Sequence, residues 1–207
     1  MGGGGTVHPL RYNSVVSRWL FLAVALLQAT APKAPADPFA TAKPAELNAY
    51  QVVLETTKGN ITLGCMAEKA PDTVRYFLQL ASAEVFDATI FHRVIPKGFI
   101  QTGAPFFRQL PLSGRQRRLL RKIKPEFNDV KSALGIVMMA REDDPNVPES
   151  SFFICTGSDK NLDGKYTAFA RVVAGMPVVR AIEAAPATLE RPKEKIILIQ
   201  VKVSKKK

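Results

Sequence analysis

Residues that usually carry covalent chemistry are scarce in this 207-residue chain. It has two histidines, His8 and His92, and two cysteines, Cys65 and Cys155. Cys155 has no histidine near it in sequence to take its proton, so a thiolate nucleophile is not expected. Neighbouring residues form no cluster with metal-ligand spacing, so no metal site is expected. Three segments stand out instead. The first is Phe91-His92-Arg93-Val94-Ile95-Pro96, continuing to Phe99-Ile100-Gln101. The second is Gly135-Ile136-Val137-Met138-Met139-Ala140-Arg141. The third runs Ser151-Phe152-Phe153-Ile154, then Leu162-Asp163-Gly164-Lys165-Tyr166, then Phe169-Ala170-Arg171-Val172. They offer guanidinium and amide donors beside aromatic walls. Groups of that kind can bind and polarise a partner without attacking it.

Short strands must position these residues. Tyr50 to Thr57 alternates, with Tyr50, Val52 and Leu54 on one face, and Ile61, Leu63 and Cys65 form a second such face beyond Lys58-Gly59-Asn60. This is a β-hairpin pattern. Ala70-Pro71-Asp72-Thr73 opens a helix, with Pro71 suited to its first turn and Val74, Phe77, Leu78 and Ala81 on one stripe. Strand-like runs follow at 89–95, 98–102, 135–140, 151–155 and 168–173. A short helix is expected over 176–185 and a last strand over 196–203. Many strands, two helices and no alternation of strand with helix predict a mostly-β domain with a closed antiparallel sheet. Phe152 and Phe153 must point to opposite faces of their strand, one into the core and one outward. Both cysteines lie in apolar runs, and buried free thiols are expected.

The order and spacing of the three segments resemble the cyclophilin family of peptidyl-prolyl cis/trans isomerases over about residues 50 to 203. The resemblance implies a closed eight-stranded antiparallel β-barrel capped by two α-helices, with a proline-peptide groove on its outer face and no cofactor. It also implies the roles. A prolyl bond rotates slowly because a barrier of ~18–20 kcal/mol guards its partial double bond. Catalysis requires a site that binds the twisted amide better than either planar form. Arg93 is the expected donor to the pyramidal proline nitrogen, and Gln101 the donor beside the carbonyl. Phe153 is the expected floor of the proline pocket, with Phe99 and Leu162 as walls. Ala140, Arg141 and Tyr166 complete the expected substrate contacts. His92 is implied to be a packed structural residue. One aromatic, Phe99, stands a residue later than the family pattern, and a bulge at Pro96-Lys97-Gly98 is expected to keep its direction. Two rival functions are a proline-peptide binding module with little catalytic power and an anionic-surface docking protein.

The ends and one internal segment add expectations about location and partners. The first 36 residues hold no acid. Arg11 and Arg18 precede a short apolar run, Trp19 to Leu27, and Ala34-Pro35-Ala36 follows. That is the form of an export signal, so residues 1–36 are expected to be a leader and the protein to be exported. The alternative is a membrane anchor left uncleaved. Residues 37–49, rich in Ala and Pro, are expected to be a linker, and 50–207 the folded domain. The formal net charge is +11. Between Arg108 and Lys124 seven basic residues stand without an acid. This segment is expected to be a loop open to an acidic protein or an anionic membrane surface. No aromatic platform accompanies its charges, which argues against nucleic acid. Proline-containing polypeptides are the expected substrates, and a monomer the expected state.

Overall fold

The computed structural model describes residues 1–3, 37–141 and 150–206. The expected leader therefore lies outside the described residues, apart from its first three. The stretch 37–49 is not a free linker. It carries a turn and a short helix α1, Pro44–Asn48, and it buries Phe39 and Leu47 in the main core. Its prolines fit because Pro44 occupies the first helical turn, where no N–H is needed. The compact unit accordingly begins at Asp37.

The hairpin pairs β1, Tyr50–Thr56, with β2, Gly59–Cys65. Helix α2, Pro71–Ser82, follows. Its first turn is capped by the Glu126 carboxylate, which accepts from Asp72 N at 3.2 Å and Thr73 N at 2.7 Å. A negative group there satisfies orphan N–H donors and complements the helix dipole. The run expected as one strand at 89–95 divides into β3, Thr89–Ile90, and β4, Arg93–Ile95. The remaining elements are β5, Phe99–Thr102, a 3-10 turn Pro105–Phe107, α3, Gly114–Leu119, β6, Ile136–Met139, β7, Phe152–Cys155, β8, Thr167–Ala174, α4, Met176–Glu183, β9, Ala187–Thr188, β10, Arg191–Pro192, and β11, Ile197–Lys205.

Nine strands form one curled, antiparallel sheet in the order β3-β11-β1-β2-β8-β6-β7-β5-β4, and β9 pairs with β10 separately. The ladder differs from the expected closed eight-stranded barrel. Its edge strands, β3 and β4, share no ladder, because the chain itself passes between them through Phe91 and His92 alone. Phe91 N donates to Ile196 O at 2.9 Å on one side, and His92 N donates to Gln101 O at 3.1 Å on the other. Two residues of chain thus link both sheet edges beside Arg93.

Alternation divides the packing into two layers. The register joins Val94 to Ile100, Ile100 to Ile154, Ile154 to Val137 and Val137 to Ala170, and all five lie in the main core. Phe152 lies there too, against Phe77, Phe86 and Phe169. Helix α2 is buried more widely than its apolar stripe requires, since Tyr76 and Leu80 are also covered. The basic segment explains this. Leu119, Leu120 and Ile123 pack on the core, and the Tyr76 hydroxyl meets the Arg121 backbone as donor to O at 3.1 Å and acceptor from N at 3.0 Å. The segment expected as an open loop is therefore a strap with a helical turn, Gly114–Leu119, capped by the Ser113 hydroxyl.

Candidate active site

The outward-facing row is the complement of the core row. Arg93 pairs with Gln101, Gln101 with Phe153, Phe153 with Met138 and Met138 with Ala168. Cross-strand partners stand on the same sheet face, so the pleat sets a donor pair at one end and an apolar floor beside it. A second, smaller apolar cluster forms there from Met138, Phe153, Cys155 and Ala168, with Phe99, Ala140, Leu162 and Tyr166 packed against it. The Phe153 ring lies 4.7 Å from that of Phe99 and 5.4 Å from that of Tyr166. The Arg141 guanidinium rests 5.6 Å from the centre of the Tyr166 ring. All eight residues singled out from sequence thus share one outer patch.

The direction of Phe99 is kept by a turn, not by a bulge within a strand. Gly98 N donates to Ile95 O at 2.9 Å, and Lys97 takes a positive φ of 59°. Phe99 then begins β5 opposite Ile95 and Cys155, facing the same way as Gln101.

Polar contacts orient the donors. Gln101 Nε2 donates to Ser151 Oγ at 3.0 Å, and Ser151 Oγ donates to Thr102 O at 3.0 Å. Arg93 Nε donates to Glu190 Oε2 at 2.5 Å, and its guanidinium carbon lies 5.1 Å from the centre of the Phe99 ring. Glu190 and Ser151 were not among the residues expected from sequence. Ser151 could have been found as the outward neighbour preceding Phe152. Glu190 carries no motif signal, and only the docking of the β9–β10 hairpin brings it to Arg93. Beyond Arg93, an open groove of about 690 Å³ is lined by Val94, Pro96, Lys97, Glu183, Ala187 and Glu190, among others.

The histidine and cysteines stand apart from this chemistry. His92 is stacked on Phe107 with ring centres 4.3 Å apart. Burial pulls its pKa down to about 4, so it is neutral at pH 7. Both cysteines are free and buried, and burial pushes each thiol up to about 11. Neither is a thiolate nucleophile at neutral pH.

Comparison with known proteins decides the family. Residues 51–203 match the model of the cyclophilin type peptidyl-prolyl cis-trans isomerases. The chain belongs to the cyclophilin family. It is 34% identical over 161 residues to the peptidyl-prolyl cis-trans isomerase CYP23 of Arabidopsis thaliana, covering 74% of this chain and 71% of that one. It is 33% identical over 162 residues to peptidyl-prolyl cis-trans isomerase-like 1 of Aspergillus fumigatus, covering 75% and 96%. The fold is similar to a crystal structure of a cyclophilin type peptidyl-prolyl cis-trans isomerase of Cryptosporidium parvum. That match has a TM-score of 0.65 at 25% identity and covers 76% of this chain and 98% of the other. A second structure of that cyclophilin was solved in the presence of the dipeptide Ala-Pro, and it matches with the same score and identity over 75% and 99%. As a cyclophilin, this chain is a peptidyl-prolyl cis-trans isomerase.

Proposed function

We propose that the outer patch around Phe153 binds the proline ring of a flexible polypeptide and that Arg93 drives rotation of the bond before it. The single observation that carries this reading is the row Arg93–Gln101–Phe153, in which donors and an aromatic floor stand side by side on the outward face. As the prolyl amide twists, its nitrogen becomes pyramidal and gains a lone pair. A guanidinium N–H at that point is worth more in the twisted state than in either planar one, which is the condition for acceleration. Gln101 is tethered through one amide hydrogen to Ser151, which leaves its second N–H for the substrate carbonyl. Phe99, Leu162 and Tyr166 wall the ring, and Ala140 and Arg141 border the chain. No covalent intermediate or cofactor is required. Chemical-shift mapping with an Ala-Pro peptide tests the reading. The largest changes are expected at Gln101, Phe153 and Leu162, and a response confined to other surfaces would overturn it.

Two further parts of this reading concern place and contact. The first is export, with removal of residues 1–36. The compact unit starts at Asp37, whose carboxylate accepts from Phe39 N at 2.9 Å. A cut after Ala36 would leave that cap intact. The second is docking of the basic strap on an anionic membrane surface. Arg115, Arg118 and Lys124 are exposed there, and Leu110, just before α3, is 60% exposed. Cationic side chains beside an exposed apolar one suit a lipid headgroup layer. Arg108 is not available for this role, since its guanidinium bonds the carbonyls of Asp87 and Glu84. The substrates would then be exported chains during their folding, met as monomeric enzyme and flexible segment.

A further inference from the structure

We infer that Glu190 is a positioning residue, which sets the guanidinium of Arg93 for catalysis. The inference rests on the role proposed for Arg93 and adds a residue that the motifs do not contain. Strands β9 and β10 are joined by Leu189 and Glu190 alone, with Arg191 opposite Thr188. Both joining residues have positive φ, 50° and 64°. Two-residue hairpin loops with this left-handed backbone normally use Asn and Gly, which reach it at little cost. Leucine and glutamate are strained there.

Three observations show what the strained turn holds. The Glu190 carbonyl accepts from Val94 N at 2.7 Å, which anchors the turn on the outer edge of β4. The Glu190 carboxylate accepts from Arg93 Nε at 2.5 Å. The guanidinium makes no other hydrogen bond among the described residues, so its terminal nitrogens are left for a ligand. A carboxylate on Nε fixes the plane of a guanidinium and the direction of its fork. The ion pair itself adds little to stability, because the two side chains are 44% and 47% exposed. That is less than two left-handed non-glycine residues cost. Fold stability alone therefore gives no reason for glutamate at this position, whereas aiming Arg93 does.

The glycine variant separates positioning from structure. Glu190→Gly keeps the backbone carbonyl that meets Val94, relieves the left-handed strain and removes the side chain with its carboxylate. Its melting temperature is expected to stay level or rise. Its kcat/KM on a short proline peptide is expected to fall roughly three- to tenfold, through kcat and not KM, because orientation acts at the transition state. Glu190→Gln keeps an acceptor for Nε and should recover part of the rate. The double variant Arg93→Ala, Glu190→Gly should be no slower than Arg93→Ala alone. An unchanged or faster Glu190→Gly enzyme, or a further loss in the Arg93→Ala background, would overturn the positioning role while Arg93→Ala remains slow. If Arg93→Ala itself keeps the wild-type rate, the reading of Arg93 falls and this inference with it.

Discussion

Replacing Phe153 with alanine perturbs the fold and the substrate in amounts that can be separated. The ring is 2% exposed and belongs to the outer cluster, apart from the main core. Buried Phe→Ala changes cost ~3–5 kcal/mol, and the aromatic pairs that Phe153 makes with Phe99 and Tyr166 contribute ~0.5–1.5 kcal/mol each within such totals. Because solvent borders this cluster, the low end applies, about 3 kcal/mol. Domains are stable by roughly 5–15 kcal/mol, so the variant is expected to fold. Phe153 is itself nearly covered, so the apolar surface lost when a proline ring lies on it would be mostly the ring's own, roughly 60 Å², or about 1.5 kcal/mol at 25 cal/mol per Å². That predicts about tenfold weaker peptide affinity. The floor serves planar and twisted amides alike, so kcat/KM should fall by a similar factor through KM. Urea unfolding measures the first number and NMR titration with Ala-Pro peptide the second. Undiminished affinity in a folded Phe153→Ala protein would refute the reasoning, since the proline would then be held elsewhere.

Three other outcomes follow from separate parts of the molecule. His92 has its folded pKa near 4 against an ordinary 6.5, so the unfolded chain takes up this proton first as the solution is acidified. The stability it permits is complete above pH 6.5 and is lost as pH falls toward 4. Wild type should lose stability relative to His92→Phe as pH falls through that window, and a difference flat in pH would exclude the effect. Neutralising Arg115, Arg118 and Lys124 together should abolish salt-sensitive binding to vesicles rich in phosphatidylserine, with the rate on a neutral peptide unchanged. Wild-type protein that ignores such vesicles at low salt, or binds only an acidic peptide, would remove the membrane reading. Mass spectrometry of the protein from its native source should find an N-terminus near Asp37, and an intact Met1 end would count against export.

The parts that were legible in the sequence are those where period and motif agree. A period of two separates Phe152 from Phe153 and sets Phe99 and Gln101 on one face, and these strands keep that alternation. The helix at Pro71 was readable because that proline suits a first turn and an apolar stripe at helical spacing follows from Val74. The hidden parts depend on contacts distant in sequence. The prolines of 37–49 read as a linker, yet Phe39 and Leu47 lie in the main core, and Arg75 of α2 bonds the carbonyls of Phe39 and Ala42. The charges of 108–124 read as an open loop, but Leu119, Leu120 and Ile123 tie it over α2. The β9–β10 hairpin was missed because Leu189-Glu190 has none of the residues that favour its turn. A sheet closed by a ladder was expected, but the chain crosses between its edges at Phe91-His92.

Rotation of the prolyl bond turns on Arg93. The decisive measurement is the cis-to-trans rate of an Ala-Pro peptide catalysed by wild type and by Arg93→Ala, with thermal unfolding of both. The Arg93 side chain is 44% exposed, and its ion pair with Glu190 is correspondingly weak, so the melting temperature should hardly move. Loss of a donor to a transition-state lone pair should lower kcat/KM by about 10²-fold or more, with peptide affinity retained. A folded Arg93→Ala protein that isomerises the peptide at the wild-type rate would contradict a catalytic role for Arg93.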